Sequence, residues 1–286
     1  METMQSVGLG VAYVILGVVV LLLAKIINDL TTPYRLDEEL TGKDNPAFGL
    51  VLAGYFAGVV IIFLGAVIGP DPDELVSLGA IARMIGIDFA YAVGGIIALN
   101  IGRWVVDRLV LYKFSTAKEV IVDRNMGTGA VECGCMIATA LIIAGAIHGE
   151  GGGPLSALAF FLLGQLVLVL FGLFYQWITK YDIHAEIERD NVAAGVALGM
   201  SMVAIGIIVL KASAGDLEGW SDKLTWFAIY VVLGALLLML LRKVTDALFL
   251  PGTTIQREIA VDRNVNAALI EGVIAIGISA IFFFVV

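Results

Sequence analysis

The chain alternates between long apolar segments and short polar connections. Eight segments reach about 20 apolar residues, the length that crosses a bilayer as a helix, and clusters of charged, Gly and Pro residues separate them. The predicted spans are Val7–Leu30, Ala47–Gly69, Asp88–Tyr112, Met126–His148, Pro154–Lys180, Val192–Leu210, Lys223–Phe249 and Val265–Val286. The pattern therefore predicts an all-α polytopic membrane protein with eight transmembrane helices.

Composition supports this class and argues against several others. The 286 residues are 60% hydrophobic and 15% charged, whereas a soluble domain carries about 25% charged residues. The net charge of −9 does not suggest a nucleic-acid partner. Cys133 and Cys135 are two positions apart and point to nearly opposite sides of a helix, so we expect no metal site between them. Because the sequence also lacks nucleotide-binding and hydrolase motifs, we expect neither enzymatic activity nor a cofactor.

The distribution of basic residues predicts the orientation of the helices. All of the 17 Lys and Arg residues except Arg83, Lys211 and Lys223 fall in the connections that follow odd-numbered spans, or at the adjoining helix ends. The positive-inside rule places that side in the cytoplasm, and eight spans then place both termini outside. We expect a multi-pass protein of the bacterial inner (plasma) membrane.

The chain contains an internal duplication. In the second hairpin of each half, a constant offset superposes Arg103 on Arg242 and Glu132 on Glu271. The predicted repeats are residues 1–150 and 151–286, with four helices each. Because each repeat has an even number of helices, both enter the membrane in the same direction and form parallel repeats.

A polar motif ends each connection that follows an odd-numbered span. Its members are Asp44 and Asn45; Asp123, Arg124 and Asn125; Asp190 and Asn191; and Asp262, Arg263 and Asn264. Asp or Asn before an apolar run is typical of a helix N-cap, because its side-chain oxygen accepts from the free amides of the first turn. We therefore expect the four Asp residues to cap the even-numbered helices; a role in recognition or ion entry is the alternative.

The tandem pattern Asp-Asn-x-Ala-x-Gly, followed by Asp-Arg-Asn and a buried Glu, resembles the bacterial membrane family called domain of unknown function 350. Members look like four-helix inner-membrane domains, and this chain resembles two such domains fused over nearly its whole length. The resemblance implies a location and a topology and supplies no activity. Some relatives occur alongside membrane-stress proteins, which suggests a cytosolic partner.

Two acids inside apolar segments are the strongest candidates for chemistry. Glu132 and Glu271 occupy the same position relative to the preceding Asp-Arg-Asn triplet. An ionised side chain at the centre of a membrane helix costs about 2.5–3.5 kcal/mol, so each acid must be protonated, paired or in contact with water. Arg103 and Arg242 lie near the same side of the membrane and are the expected partners. Either the acids form a cation or proton site, or they form structural ion pairs.

Two functional hypotheses follow. In the first, the protein is a transport or channel component that uses Glu132 and Glu271 as a cation or proton site between the two repeats. In the second, it is a scaffold whose Glu39, Glu119, Glu186 and Glu258 form a docking surface for a cytosolic protein. Both hypotheses place the chain in a lipid bilayer and are compatible with a homo-oligomer.

Overall fold

The chain folds into long helices joined by short ones. The computed structural model describes residues 2–32, 34–68, 77–149, 151–249 and 252–286. In chain order the elements are α1 (Glu2–Thr31), a π-helical turn (Glu38–Gly42), α2 (Pro46–Val67), α3 (Leu78–Leu109), α4 (Thr116–Ile121), α5 (Met126–Ile147), α6 (Gly153–Ile178), α7 (Ile183–Glu188), α8 (Val192–Ser213), α9 (Trp220–Phe249), α10 (Ile255–Ala260) and α11 (Val265–Val285). Within these residues, eight helices are long and apolar enough to cross a membrane, which confirms the predicted fold class.

One helix starts earlier than the sequence predicted. The third span was expected to begin at Asp88, but α3 begins at Leu78, with Ser77 as its N-cap. The Ser77 hydroxyl accepts a hydrogen bond from the amide of Ala80 at 3.3 Å. Asp88 therefore lies inside α3, where its carboxylate accepts a hydrogen bond from the hydroxyl of Tyr13 in α1.

The second helix of each hairpin belongs to a central row, in the order α2, α5, α8 and α11. Each of these helices packs against the next, whereas within the described residues the two end helices, α2 and α11, are not packed as neighbours. The first helices of the hairpins, α1, α3, α6 and α9, flank the row. From α3 onward, each flanking helix lies against the row helix of its own hairpin and against the row helix of the preceding hairpin. The fold is therefore an open array of four hairpins.

Glycines allow the row helices to approach at backbone distance. A Cβ atom on Gly134 of α5 would collide with the backbone of Gly199 in α8, and one on Gly206 would lie 2.8 Å from the Cα of Ala138. On the other side of α5, a Cβ on Gly129 would lie 2.7 Å from the carbonyl oxygen of Ala47 in α2. Such small-residue contacts hold helices together in lipid through van der Waals packing, because the hydrophobic effect does not drive helix association there.

Candidate functional site

The first buried ion pair joins α3 to α5. The Arg103 Nε lies 3.6 Å from the Glu132 Oε2, and the Glu132 side chain is 2% exposed. The other end of the guanidinium donates a hydrogen bond from Nη2 to the Tyr34 hydroxyl at 2.7 Å. Asp107, one turn along α3, interacts electrostatically with both charges. The partner predicted for Glu132 is therefore present, within a cluster of four polar side chains.

The second ion pair occupies the same position in the other half. The Arg242 Nε lies 3.3 Å from the Glu271 Oε1, and both side chains are largely buried. The guanidinium carbon of Arg242 lies 5.1 Å from the ring centroid of Tyr175, which is a cation–π contact. Asp246, the counterpart of Asp107, has a side chain outside the part that the structure describes.

A tyrosine at the membrane boundary accompanies each arginine. Tyr34 contacts Arg103, and Tyr181 interacts with Arg242 at the equivalent position. Burial raises the pKa of both phenols, and the neighbouring arginine only partly offsets that effect; the pKa of Tyr181 rises to about 12. Both phenols therefore stay neutral at physiological pH and are not competing anions; the Tyr34 hydroxyl accepts a hydrogen bond from Arg103.

A small cavity borders the second pair. Its volume is about 40 Å³, and its lining includes Tyr175, Ser201, Arg242, Thr245 and Glu271. This volume accommodates a water molecule, and the lining offers it several polar partners. The ion pair of the second half therefore lies beside a place where water can exchange protons with it.

The first pair lies on a column of buried polar atoms. Thr128 and Thr139 share a face of α5 with Glu132, and their hydroxyls have no hydrogen-bond partner within the described residues. The amide of Gln165 in α6 is likewise without a partner there, and its Oε1 lies beside Gly102, at 3.3 Å from where a Cβ would be. Buried polar groups usually bind protein or water. The column therefore has unused hydrogen-bonding capacity along about 16 Å of α5, from Thr128 to Thr139 at 1.5 Å per residue.

The two acids do not share one site. Glu132 is on α5 and Glu271 is on α11, and α8 lies between these helices in the row. Each acid is held by the arginine of its own half. The structure therefore contains two separate, equivalent sites rather than one site on a shared axis.

The four linkers, defined as the chain between the two helices of each hairpin, share one hydrogen-bonded design. In each, an Asn side-chain amide donates to the carboxylate of the preceding linker Glu at 2.9–3.4 Å. The backbone amide of the same Asn also donates to the carbonyl of that Glu. The pairs are Asn45 with Glu39, Asn125 with Glu119, Asn191 with Glu186 and Asn264 with Glu258.

This geometry corrects the predicted docking surface. Glu39 and Glu119 are only 2% and 4% exposed, because their carboxylates turn inward to the Asn side chains. Glu186 and Glu258 are partly buried for the same reason. A sequence of charged residues in a connection suggested exposure, but the acids instead satisfy the donors of the helix caps. They do not form a row of accessible carboxylates.

The capping residue is also different from the prediction. The N-caps are Asn45, Asn125, Asn191 and Asn264, whose side-chain oxygens accept from first-turn amides, and not the four Asp residues. The residue before each Asn has a positive φ, between 50° and 55°, in Asp44, Arg124, Asp190 and Arg263. This left-handed step turns the chain sharply into the helix, so only the Asn is placed to cap it.

Other charged residues of the motif form ion pairs within a linker or between neighbouring linkers. Asp123 pairs with Lys118 at 2.9 Å, and Asp262 pairs with Arg257 at 3.7 Å. Arg263 lies 3.9 Å from Glu186 of the preceding linker. The pairs of Asp123 and Asp262 are exposed and contribute little stability each, so the buried Asn–Glu contacts determine the linker structure.

Sequence reasoning missed His184 as part of the linker structure. It is 3% exposed, and its Nε2 donates to the carbonyl of Val110 at the end of α3, at 2.7 Å. The rings of Tyr112 and Phe114 pack against the imidazole, with Asp182 and Lys113 nearby. Burial lowers the pKa of His184, and the hydrogen bond to Val110 opposes this only in part. No periodic sequence signal marks a histidine that bridges two linkers.

We expect acidification to destabilise the protein through His184. The unfolded chain binds a proton near the ordinary histidine pKa of 6.5, whereas the folded chain does so only at lower pH. The stability contributed by neutral His184 is therefore present above pH 6.5 and is lost as the pH falls towards the folded pKa. Thermal unfolding in detergent should show a smaller acid-induced loss for His184→Gln, which keeps an amide donor, than for wild type. Identical pH profiles would contradict this role.

Comparison with known proteins places these features in a family. The family model described as "Domain of Unknown Function (DUF350)" matches residues 2–147 and again residues 151–286. The chain is also 22% identical over 240 residues to a protein named "UPF0719 transmembrane protein" from Aquifex aeolicus (strain VF5), covering 82% of this chain and 84% of that protein. No solved structure matches the chain. The matches agree with a multi-pass membrane protein built from two copies of one unit.

Proposed function

The chain belongs to the DUF350 family in a tandem, two-copy form, and we propose that it is a proton-linked transport component of the bacterial inner membrane. The observation that carries the proposal is the pair of buried Arg–Glu contacts, Arg103 with Glu132 and Arg242 with Glu271, at equivalent positions within membrane-spanning helices. Burying two charges costs desolvation energy that a well-packed apolar pair would avoid. Because both repeats contain such a pair despite this cost, we infer that the charges have a function.

The identity of each counter-charge favours a proton over a metal cation. A guanidinium at 3.3–3.6 Å already neutralises each carboxylate and repels another cation from the same position. A proton can reach the carboxylate in a different way, because it adds to an oxygen when the ion pair separates. Arg103 has further polar partners in Tyr34 and Asp107, which can retain it during such a separation.

Protonation then acts as a local switch. A neutral Glu132 no longer attracts Arg103, so the electrostatic contact between α3 and α5 weakens while the Tyr34 hydrogen bond persists. The column of Thr128, Thr139 and Gln165 offers groups that can hydrogen-bond water beside the acid. In the second half, the cavity beside Glu271 offers the same opportunity. Each repeat thus carries one site at which a proton can be bound and released.

The experiment compares proton flux across vesicles that contain purified protein. Wild type should dissipate an imposed pH gradient faster than empty vesicles, and Glu132→Gln combined with Glu271→Gln should abolish that excess. Glu188→Gln is the matched control, because Glu188 is an exposed linker acid outside both ion pairs. Equal flux in wild type and the double variant, with both correctly folded, would exclude the acids as the transport site. Absence of flux in wild type would overturn the proposal itself.

The scaffold hypothesis has less support. It needs accessible linker acids, whereas Glu39 and Glu119 are buried against Asn45 and Asn125. By the positive-inside rule we propose that the linkers face the cytoplasm. A cytosolic partner would then contact exposed residues such as Glu188, Arg189 and Arg124 rather than the predicted acids.

A further inference from the structure

The linkers form a continuous hydrogen-bonded ladder along the row. Besides contacting its own Glu, each of the first three Asn side chains donates to a backbone carbonyl of the next linker. Asn45 donates to Val120 at 2.9 Å, Asn125 to Ile187 at 2.7 Å, and Asn191 to Ile259 at 2.9 Å. The accepting carbonyl belongs each time to the residue that follows the linker Glu. The ladder therefore has a direction, from each hairpin to the next.

The ladder is unfinished at both ends of the row. Asn264 contacts Glu258 but, within the described residues, no further linker accepts its second amide hydrogen. At the other end, Leu40 follows Glu39 and holds the position of Val120, Ile187 and Ile259, yet no Asn side chain among the described residues donates to its carbonyl. One end of the row thus presents the donor that the other end is built to accept.

The helix faces at the two ends also match the internal contacts. Between α5 and α8, Gly134 packs on Gly199, and Ala138 packs on Gly206. The repeat places Val273 and Gly277 of α11 at the positions of Gly134 and Ala138. Val273 is 61% exposed, and a Cβ on Gly277 would meet nothing within 4 Å. This face of α11 is therefore open where the equivalent face of α5 is filled.

The face of α2 at the opposite end is complementary. Ala53 and Val60 hold the positions of Gly199 and Gly206, and both are exposed. If this face of α2 were packed against α11 in the way that α8 packs against α5, Val273 would contact Ala53 and Gly277 would contact Val60. Each larger residue would then face a smaller one. An apolar groove of about 470 Å³ between α1 and α2 is lined by Phe56, Ala57 and Val60 on the α2 side. α1, moreover, lacks the preceding row helix that α3, α6 and α9 each contact.

We propose that a second copy of this chain continues the row, with α11 of one copy packed against α2 and α1 of the next. In this head-to-tail arrangement Asn264 donates to the carbonyl of Leu40 in the following copy, extending the ladder with the same chemistry. The contact is heterologous, so successive copies close into a ring or form an open array. The continuity of the ladder and of the helix contacts supports this arrangement, whether or not the protein transports protons.

Cysteine crosslinking between two distinguishable copies tests the interface. In the internal contact between Gly127 and the start of α8, a Cβ on Gly127 would lie 3.3 Å from the Asn191 carbonyl carbon. The equivalent residues at the proposed interface are Asn266 and Asn45, and Pro46 is the residue bonded to that carbonyl carbon of Asn45. In a background with Cys133→Ala and Cys135→Ala, chains carrying Asn266→Cys are mixed with chains carrying Pro46→Cys in vesicles at high lipid dilution. We expect disulfide-linked heterodimers from the mixture. Asn266→Cys mixed with Val122→Cys is the control for random collision, because Val122 is an exposed linker residue at the same end of the helices and outside the proposed interface.

Gly277→Leu provides the second variant. Its side chain points into open space within one chain, so the monomer should fold normally, while the added bulk should abolish the crosslink. Several results would overturn the proposal: no heterodimer, equal crosslinking in the Val122 control, preferential Asn266–Asn266 homodimers indicating a symmetric contact, or a crosslink unaffected by Gly277→Leu.

Discussion

Breaking either buried ion pair should destabilise the protein more than removing the whole pair. We expect Glu132→Met or Arg103→Met alone to lower the free energy of unfolding by about 3–5 kcal/mol, because each removes one charge of a buried ion pair and leaves the other in place. The double variant, with Met at both positions, should recover most of that loss, since the contact becomes apolar and neither charge of the pair remains. The same pattern should hold for Arg242 and Glu271. Unfolding of the purified protein in mixed micelles measures all variants under one condition.

This double-mutant cycle, the two single variants and the double variant compared with wild type, also distinguishes an ion pair needed for function from a purely structural one. A pair maintained for proton transfer should lose activity in the double variant even though stability returns. Lys113→Met and Asp182→Asn, which break an exposed pair of 2.7 Å, form the matched control and should change stability by less than about 1 kcal/mol. Additive losses in the Arg103–Glu132 cycle would show that the two charges do not interact across α3 and α5.

Adding a single methyl group at the centre of the row should also lower the stability of the protein substantially. Gly134→Ala should destabilise the protein by about 1–3 kcal/mol, because its Cβ would collide with the Gly199 backbone and must push α5 and α8 apart. Gly94→Ala in α3 is the matched control, since a Cβ there meets nothing within 4 Å. This control should be neutral or more stable by about 0.5–1 kcal/mol, as Ala favours helix over Gly.

Unfolding midpoints of Gly134→Ala and Gly94→Ala in the same detergent check this prediction. A small or stabilising effect of Gly134→Ala would mean that α5 and α8 can separate freely, and that backbone contact is not what orders the row. In that case, the yield of a disulfide between cysteines introduced into α5 and α8 should vary with the detergent. If the contact is rigid, the yield should be the same in every detergent.

The sequence predicted the features that depend on strong local signals. Eight apolar runs at bilayer length gave the helices, and the repeated positions of Glu132 and Glu271 gave the two halves. The pairing of each acid with an arginine also followed, because a membrane-buried carboxylate needs a partner and Arg103 and Arg242 lay on the same side. The physical cost of an isolated charge in lipid made these inferences specific.

The sequence could not predict features that depend on the order of the helices in space. The sequence suggested one site between the two repeats, but the row places α8 between α5 and α11 and separates the two acids. A single sequence does not show that the second helices of the hairpins pack side by side, or that α5 and α8 meet at Gly134 and Gly199. Glycines within apolar runs fit many arrangements, and only the packed structure shows which ones meet.

The linkers show why residue type alone was misleading. Asp and Asn are both good caps, and the sequence placed an Asp before every Asn. The positive φ of Asp44, and of Arg124 in the same position, decides between them by turning the chain one residue before the cap. Likewise, Glu39 looked like an exposed acid, although its carboxylate is the acceptor for Asn45. A repeated Glu located six residues before a repeated Asn, as in Glu39, Glu119 and Glu258, was the available signal for this contact.

The most direct test of the central claim is to observe protonation of the two buried acids. Infrared difference spectra of the protein in vesicles, recorded while a pH gradient is imposed, report the carboxylic acid C=O band. We predict a change in this band that disappears when Glu132→Gln and Glu271→Gln are combined and that persists in Glu188→Gln. A spectrum with no such change, or one that is the same in the double variant, would show that the acids keep one protonation state, contradicting their proposed role in proton transport.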